Sequence, residues 1–357
     1  MTMPRVALFP PGNPINPYML NLANALRRQG VELFPGPWPL TQAWVRQNRG
    51  RIDILHFNWP SYYYAAPDLK QAVRDLLLFV RCVSLAQDCG YRIVWTVHNL
   101  FAHEIEQTEV DHLARVVLAR LANALVIHCQ SARDRLRDSL DRTGEDIFFI
   151  PHGHYIDVYP NYLSRQEARA RLGLTEGEFV YLFFGYVRPY KGVSALIDAF
   201  KTQPGDSLRL IVAGHPHPAS YVAELARHAG DDSRIRLDTK LIPAHEVQTY
   251  FNAADAVVLP FENVLTSGSL ILALSFGKPV IAPALGGIPE LVSEDIGVLY
   301  DPLRPTALAE ALALLRSGLD LQRAGQNAYA KARALDWEPI GRQMADVYAY
   351  VLQKRVS

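Results

Sequence analysis

The stretch EFVYLFFGYVRPYKGVSALIDAF, residues 178–200, decides the fold of the second half of the chain. An apolar run ends at Gly185, and a helical pattern begins directly after Gly192. A short continuous apolar run followed by a helix is typical of a fully buried strand in a parallel sheet. Arg188 and Lys191 lie in the connection with no carboxylate beside them, so we expect this loop to bind an anion. Solvated surface charge is the competing interpretation, which the flanking glycines make weaker.

The same alternation of strand and helix patterns continues in both directions. Apolar runs such as RVALF, DILHF, RIVWTVH and LVIH precede the stretch, LRLIVAG, DAVVLP and PVIAP follow it, and helical patterns separate them. This predicts an α/β chain of two Rossmann-like, doubly wound parallel sheets. We expect domains at 1–155 and 156–335, joined by a polar, turn-rich connection, and a C-terminal helix at 336–357 that packs back on the first domain. Ligands collect at the carboxyl ends of such strands, so a cleft between the domains is expected.

Composition places the chain among folded proteins and argues against some partners. The 357 residues are 49% hydrophobic and 20% charged, which suits two ordinary globular domains. Its 36 basic and 36 acidic residues leave no net charge, which argues against a nucleic acid held by phosphate contacts. The three cysteines lack metal-ligand spacing, and we find neither a signal peptide nor an apolar run of about 18 residues. We expect a cytoplasmic protein that at most lies on a membrane surface.

The loop after the first predicted strand, FPPGNPINPY at 9–18, has groups that suit a ligand. Gly12 lets the backbone approach a ligand closely, and Asn13 and Asn16 offer amides near a helix start. A plain proline-rich turn explains the stretch about equally well. The loop is not the G-x-G-x-x-G fingerprint of dinucleotide sites, so a hydride-transfer enzyme loses support.

A second loop, TVHNLFAHE at 96–104, predicts a catalytic base. It brings His98, Asn99, His103 and Glu104 together at the end of a strand. An imidazole or carboxylate here could remove a proton from a hydroxyl. One histidine alone would more often be structural, but two with a carboxylate favour a function.

The stretch PHGHYIDVYP at 151–160, where the connection begins, holds a third polar group. His152, His154 and Asp157 are candidates to line the floor of the cleft. A hinge turn is the competing interpretation. The spacing lacks the helical histidine pair of zinc hydrolases, so no metal site is predicted.

Aromatic residues crowd the stretch HFNWPSYYYAAP at 56–67 and precede a leucine-rich helix. They could stack on a sugar ring or rest at a membrane interface. The helix has five consecutive apolar residues at 76–80 and also carries Lys70, Arg74 and Arg81. Burial in the core explains such a helix more simply, although contact with lipid is credible.

The stretch LPFENVLTSGSLILALSFGKPVIAP at 259–283 predicts a second anion site. Small polar residues surround an expected helix start, where exposed amides and the positive end of the helix dipole attract anions. An N-cap needs one such residue, but four stand here: Thr266, Ser267, Gly268 and Ser269. Glu262 precedes them and is suited to accept hydrogen bonds from a ribose. Two anion sites in one domain imply a diphosphate.

Several of these motifs resemble the donor domain of GT-B glycosyltransferases. They are G-x-x-R-x-x-K-G at 185–192, the GHP turn that begins at Gly214, the SGS helix start and SFGKPVIAP at 275–283. In the large retaining family 4 of glycosyltransferases, a second glutamate usually stands eight residues after the first. Here Leu270 occupies the position eight residues after Glu262, which weakens transfer of the retaining mechanism.

Six motifs in order more specifically resemble the β-mannosyltransferases of xanthan-type exopolysaccharide assembly, glycosyltransferase family 94. They are NPY at 16–18, LHFNWPSY at 55–62, TVHNLFAHE at 96–104, HGHYIDVY at 152–159, FGYVRPYKGV at 184–193 and SGSLILALS at 267–275. The resemblance implies a GDP-mannose donor and a polyprenyl-diphosphate-linked oligosaccharide acceptor. It also implies inversion to a β-linkage and work at the inner face of the cytoplasmic membrane.

Both lines of argument predict one in-line displacement. A base of the first domain deprotonates an acceptor hydroxyl, and Glu104 is the first candidate, with His103, His98 and His154 as rivals. The two cations and the helix start stabilise the departing diphosphate, so neither a divalent metal nor another cofactor is expected. The nucleobase is placed near KLIPAHEV at 240–247. A retaining transferase of a UDP-sugar, a nucleotide-sugar epimerase and a non-catalytic nucleotide-sugar binding protein remain alternatives.

Overall fold

The computed structural model describes residues 3–11, 17–100 and 107–354. The chain divides into two compact units. The first contains Met1–Gly153 together with Asp336–Ser357, and the second contains His154–Leu335.

Each unit is built around one six-stranded sheet in which every paired strand runs parallel to its neighbours. The strands of the first sheet are β1 (Arg5–Phe9), β2 (Glu32–Pro35), β3 (Ile54–Phe57), β4 (Arg92–Val97), β5 (Ala124–Ile127) and β6 (Ile147–Phe149). Those of the second are β7 (Phe179–Phe184), β8 (Leu208–Ala213), β9 (Ile235–Asp238), β10 (Ala256–Val258), β11 (Val280–Pro283) and β12 (Gly297–Tyr300).

Helices connect most of these strands. They are α1 (Tyr18–Arg28), α2 (Gln42–Gln47), α3 (Leu69–Asp88), α4 (Thr108–Leu121), α5 (Ala132–Leu140), α6 (Arg165–Leu172), α7 (Val193–Lys201), α8 (Tyr221–Ala229), α9 (Val247–Ala253), α10 (Gly268–Ser275), α11 (Ile288–Leu291), α12 (Ala307–Gly318), α13 (Leu321–Arg333) and α14 (Trp337–Gln353). Short 3₁₀ turns lie at Pro60–Tyr63 and Pro189–Lys191.

The strand orders confirm two doubly wound sheets. The first sheet runs β2-β1-β3-β4-β5-β6, and the second runs β12-β11-β10-β7-β8-β9. The winding reverses between β1 and β3 in the first sheet and between β7 and β10 in the second. Such reversal points are where open parallel sheets place their ligands, just beyond the carboxyl ends of the strands.

Strand β7 shows why its sequence is apolar without alternation. Val180 and Leu182 pack into the hydrophobic core on one side of the second sheet, and Tyr181 and Phe183 pack into the core on the other. Successive side chains of a strand point to opposite faces, so a strand covered on both faces must be apolar at every position.

The C-terminal helix α14 belongs to the first unit and packs against α1. Gly341 faces Ala25 so closely that an added Cβ would lie 2.8 Å from the Ala25 Cβ. Trp337 covers Gly153, and Tyr348 reaches the sheet, where its Oη lies 2.7 Å from Nδ1 of His56. The C-terminal helix therefore completes the core of the first unit.

The elements α6 and β12 are among those that the sequence pattern did not predict. The segment expected to be only a turn-rich connection contains α6, which begins with a capping box formed by Ser164 and Glu167. The four-residue strand β12 was also not predicted. Both are short: the charged residues of RQEARARL hid the apolar stripe of α6, and β12 has too few residues for a pattern.

The contact between α14 and α1 gives a stability prediction. Replacing glycine by alanine inside a helix ordinarily stabilises it by about 1 kcal/mol. At Gly341 the new methyl group would also meet the backbone of Ala25 at 2.9 Å. We therefore expect Gly341→Ala to destabilise the protein by about 1–3 kcal/mol, the usual cost of overpacking, in urea unfolding. Gly318→Ala at the end of α12, where the nearest atom is 3.4 Å away, is the control and should not destabilise it.

Candidate functional site

Three loops meet at the carboxyl edge of the second sheet, where β7, β8 and β10 end. Gly185 follows β7 with φ +137°, and Gly214 follows β8 with φ +143°. A Cβ on Gly214 would overlap the carbonyl oxygen of Gly185, and a Cβ on Gly185 would lie 2.9 Å from Oγ of Ser269. Only glycine fits both positions, and this close packing brings the loop after β7 against the start of α10.

Aromatic rings hold both cations of the loop after β7. The guanidinium carbon of Arg188 lies 4.6 Å from the ring centre of Tyr186. Nζ of Lys191 lies 4.3 Å from the ring centre of Phe261 and 5.2 Å from that of Tyr190. Cation–π contacts of this kind help to fix the position of both cations.

The loop after β7 also touches the loop after β10 through its backbone. The amide of Glu262 donates to the carbonyl of Tyr190 at 3.2 Å. Gly192 has φ +69°, and a Cβ there would overlap the carbonyl oxygen of Pro260. The side chain of Glu262 is exposed beside this contact. The two loops are thus fixed next to each other at the reversal point of the second sheet.

The start of α10 has the geometry expected of an anion site. Buried Ser267 is the N-cap, and its Oγ accepts from the amide of Leu270 at 3.1 Å. Gly268 is exposed, while Thr266 and Ser269 are half-buried. The first-turn amides of a helix have no partner within the helix and lie at the positive end of its dipole.

The structure therefore brings together most of the predicted donor-binding residues. Gly185, Arg188 and Lys191 come from one loop, Gly214 from the next, and Glu262 with 266–269 from the third. Two cations, a helix start and an exposed carboxylate at one sheet edge are chemically suited to a diphosphate attached to a ribose.

His154 takes part in a local turn at the start of the second unit. Its amide donates to the carbonyl of Leu335 at 3.0 Å, and its Nδ1 accepts from the amide of Ile156 at 3.2 Å. The exposed residue Asp157 has a left-handed backbone, with φ +64°. These contacts give His154 a structural role in the turn.

The first unit contains a group of four histidines at the carboxyl ends of β3, β4, β5 and β6, which we call the histidine cluster. They are His56, His98, His128 and His152. The ring centres of His98 and His128 are 4.9 Å apart, and those of His128 and His152 are 5.5 Å apart. Tyr18 contacts these three rings at 4.8 to 5.7 Å.

Hydrogen bonds fix the orientation of these rings. Nδ1 of His128 donates to the carbonyl of Ile150 at 2.7 Å, and Nδ1 of His152 donates to that of Gly153 at 2.8 Å. The Oδ1 atom of Asn58 accepts from Nε2 of His98 at 3.1 Å. Carbonyl acceptors require a protonated ring nitrogen, so each bond selects one tautomer of the neutral imidazole.

Further contacts hold His98 and His56. Trp59 stacks on His98 with 4.3 Å between ring centres and 13° between planes. His56 lies between the hydroxyls of Tyr348 and Thr96, each 2.7 Å from a ring nitrogen.

Burial keeps the histidine cluster uncharged. It lowers the pKa of His56 to about 3, of His128 to about 4 and of His152 to about 3. The pKa of His98 is well below its ordinary value for the same reason, and the neighbouring imidazoles lower it further. At neutral pH the cluster therefore consists of neutral donors and acceptors.

Sequence reasoning found only part of this arrangement. His98 and His152 were among the candidates, but His56, His128, Tyr18 and Trp337 were not. The sequence contained a signal for His56 and His128, because histidines stand in or just after successive apolar runs, in DILHF, TVH, LVIH and IPH. Tyr18 and Trp337 lie at the starts of α1 and α14, and only the folded packing brings them to the sheet edge.

Five predicted site residues lie outside the described part of the chain. They are Gly12, Asn13, Asn16, His103 and Glu104. Among residues 3–11, 17–100 and 107–354, no group of three or more His, Cys, Asp or Glu side chains is arranged to hold a metal ion. Across those same residues, no helix is both long and apolar enough to cross a membrane.

Comparison with known proteins adds a family and several relatives. Residues 164–331 match the family described as Glycosyl transferases group 1. The chain is 29% identical to the GDP-mannose:glycolipid 4-beta-D-mannosyltransferase of Xanthomonas campestris pv. campestris, a match that covers 95% of this chain and 89% of that one. It is 27% identical to the D-inositol 3-phosphate glycosyltransferase of Corynebacterium glutamicum, with 86% and 74% covered.

A solved structure supports the fold. Anabaena HepE in complex with UDP-glucose superimposes with a TM-score of 0.74 at 20% sequence identity, and the match covers 98% of this chain and all of that one. At this level of identity the similarity shows a shared architecture of two Rossmann-like sheets.

The histidine cluster predicts acid-sensitive stability. The folded protein keeps these imidazoles neutral to a pH of about 4 or lower, whereas unfolded histidines bind protons near pH 6.5. The unfolded chain thus binds more protons below about pH 6.5, and stability falls as the pH drops toward 4. Each such histidine should steepen the decline by about 1.4 kcal/mol per pH unit, which urea unfolding between pH 7.5 and 4.5 would measure.

A matched pair of variants checks the source of this dependence. His128→Gln should flatten the slope by about one proton, whatever its effect on stability at pH 7.5. His245→Gln removes an imidazole outside the cluster, whose side chain is 70% exposed, and is the control. Equal slopes in both variants would contradict the assignment to the cluster.

Proposed function

We propose that the protein is a group 1 glycosyltransferase that transfers mannose from GDP-mannose, because residues 164–331 match that family and the chain has the GT-B fold. The acceptor in this proposal is a hydroxyl of a lipid-linked oligosaccharide in exopolysaccharide assembly. The product carries a β-linkage formed with inversion.

One observation carries the proposal. Arg188 and Lys191 lie beside the start of α10 at the reversal point of the second sheet, fixed there by the contacts of Gly185 and Gly192. Two cations and a helix start match a group with two adjacent phosphates. A nucleoside diphosphate sugar has such a group, and its diphosphate becomes the leaving group on transfer.

The mannose donor is supported by sequence similarity over nearly the whole chain. The relative from Xanthomonas campestris bears the name of a GDP-mannose-dependent β-mannosyltransferase, and it matches 95% of this chain. The six motifs quoted above support the same donor. A retaining transferase of a UDP-sugar is the second candidate, because HepE is a structural neighbour seen in complex with UDP-glucose.

One position favours inversion. Leu270 is 1% exposed and lies in the first turn of α10, eight residues after Glu262. The resemblance to family 4 would require a glutamate at this place for the retaining mechanism. A buried leucine cannot supply a carboxylate there.

The proposed mechanism is a single in-line displacement. A base of the first unit removes the proton of the acceptor hydroxyl, the hydroxyl oxygen bonds to the anomeric carbon, and the bond to the diphosphate breaks. Negative charge grows on the departing GDP, so the two cations and the helix start stabilise the transition state more than the ground state. We propose that these groups do this without a divalent metal.

Glu104 is the proposed base, with His103, His98 and His154 as rivals. His98 is neutral at pH 7 and donates its Nε2 proton to Asn58, so only its Nδ1 could accept one. Nδ1 of His154 already accepts from the amide of Ile156. The contact with Ile156 therefore makes His154 the weaker of these two rivals.

A lipid-linked acceptor requires work at a membrane surface, and we propose the exposed face of α3 as the contact. Leu77 is 55% exposed and Leu78 46% exposed, although apolar residues of a helix usually point inward. Lys70, Arg74 and Arg81 lie on the same face, and none of the three forms an ion pair within the described residues. Apolar and basic residues on one face suit an anionic bilayer at the inner face of the cytoplasmic membrane.

Two exposed aromatic side chains of the first unit are a further proposed contact with the membrane. Trp38 is 60% exposed and Tyr62 49% exposed, and their rings contact each other with centres 6.0 Å apart. Tryptophan and tyrosine are enriched at the level of lipid headgroups.

Calorimetric titration with GDP, UDP, GDP-mannose and UDP-glucose, without divalent metal, tests the donor. We expect selective binding of the guanine pair, and a loss of roughly 2 kcal/mol in Arg188→Ala and in Lys191→Ala, since each removes charged hydrogen bonds. Arg323→Ala, on the exposed face of α13, is the control and should bind as the parent does. Selective binding of uracil nucleotides would move the protein to the second candidate, and unchanged binding in both cation variants would reject the diphosphate site.

Sedimentation with anionic vesicles at low salt tests the membrane contact. Removing Lys70, Arg74 and Arg81 together should weaken binding by about 1 kcal/mol per residue. Replacing Arg46, Arg49 and Arg51, exposed residues that precede β3, changes the net charge equally and is the control. A parent protein that stays in the supernatant, or equal losses in both triple variants, would contradict this surface.

A further inference from the structure

A buried ionic network in the first unit joins two strand-end loops. Nε of Arg115 donates to Oδ2 of Asp111 at 2.8 Å, one turn apart on α4. Oη of Tyr64 donates to the other carboxylate oxygen at 2.7 Å. Nη1 of Arg115 donates to the backbone carbonyl of Asn99 at 2.6 Å.

The network lies in the core of the unit. Tyr64 is 1% exposed, Asp111 2% and Arg115 4%. Moving two charges out of water is unfavourable, and buried ion pairs of this kind can often be replaced by apolar residues with no loss of stability. The role of this network is therefore better judged from its position in the fold than from its contribution to stability.

The network holds the loops that carry the polar side chains of the sheet edge. Asn99 directly follows His98 after β4, and Tyr64 follows the 3₁₀ turn after β3, where Asn58 and Trp59 lie. His98 joins these two loops a second time, through its hydrogen bond to Asn58 and its stacking on Trp59. Arg115 thus fixes the main chain at Asn99, next to His98, whose ring contacts both loops.

We propose that Arg115, together with Asp111 and Tyr64, is a positioning group for the loops after β3 and β4. It holds His98, Asn58 and Trp59 in one arrangement, so that the first unit presents a fixed set of donors and acceptors to the sugar acceptor. Arg115 acts through the Asn99 carbonyl and does not itself touch substrate. The link to acceptor sugars rests on the proposed function, whereas the positioning of the loops does not.

The same unit contains a matched pair for comparison. Arg142 and Asp146 are also four residues apart and 2.6 Å from each other. Arg142 also donates to a backbone carbonyl, that of Ala122, at 2.9 Å. Ala122 precedes β5 and lies at the amino edge of the sheet, opposite the edge that carries the histidine cluster.

The test uses two double variants. The first combines Arg115→Met and Asp111→Asn, and the second combines Arg142→Met and Asp146→Asn. In the first variant the new side-chain amide still offers an oxygen to the Tyr64 hydroxyl, while the two charges and the contact with Asn99 are lost. Tyr64→Phe removes a single hydroxyl and replaces the double variant if that one does not fold. Arg115→Lys keeps one donor and serves as a partial rescue.

Hydrogen exchange gives the result that does not depend on activity. In the Arg115 double variant we expect the backbone amides of residues 98–100 to exchange at least tenfold faster than in the parent. In the Arg142 double variant the same amides should exchange at the parent's rate. Unchanged exchange at 98–100, or equal acceleration in both variants, would overturn the proposal.

Kinetics give the second result. The Arg115 double variant should transfer sugar with kcat at least tenfold lower, while the dissociation constant for nucleotide stays within twofold, because the donor residues lie in the second unit. Arg115→Lys should recover part of the rate. A parallel loss of nucleotide binding and rate would indicate general damage and overturn the proposal. If the parent itself transfers no sugar, the proposed function fails and the exchange result alone judges the network.

Discussion

The second unit depends on the burial of β7 on both faces. Val180 and Leu182 must fill one core and Tyr181 and Phe183 the other, so the strand has to lie in the middle of its sheet. A central strand at the reversal point ends where its neighbours β8 and β10 end. The cations that follow β7 therefore lie beside the start of α10. Their position at this edge of the sheet is a consequence of how β7 packs.

The first unit uses the same geometry for a different kind of site. Its strands end in neutral imidazoles instead of cations, since burial against aromatic rings disfavours the charged form. The second edge can therefore attract an anion, while the first offers directional hydrogen bonds of the kind that hydroxyl groups accept and donate. This difference between the two edges suits the two substrates of the proposed transfer.

Local sequence signals predicted the fold and which residues lie together at the edge of the second sheet, because a buried strand, a glycine at positive φ and a helix start each leave a mark within a few residues. Arg188, Lys191 and Ser267 were found in this way. His128 and Trp337 were not singled out as site residues, since their importance arises from contacts between distant segments. Leu77 and Leu78 show a related limit, because leucine as a residue type predicts burial. Only the packing of α3 reveals that residues 76 and 79 are buried whereas Leu77 and Leu78 are exposed.

The position of α14 has a consequence for how the chain folds during synthesis. Val347, Tyr348 and Val351 belong to the same hydrophobic core as Val6 and Val94, although more than 250 residues separate the two groups in sequence. The ribosome makes residues 1–153 before α14, so their core lacks these side chains until α14 emerges. The second unit, which is continuous in sequence, can fold as soon as it is complete. The half of the protein that is made first is therefore the half that finishes folding last.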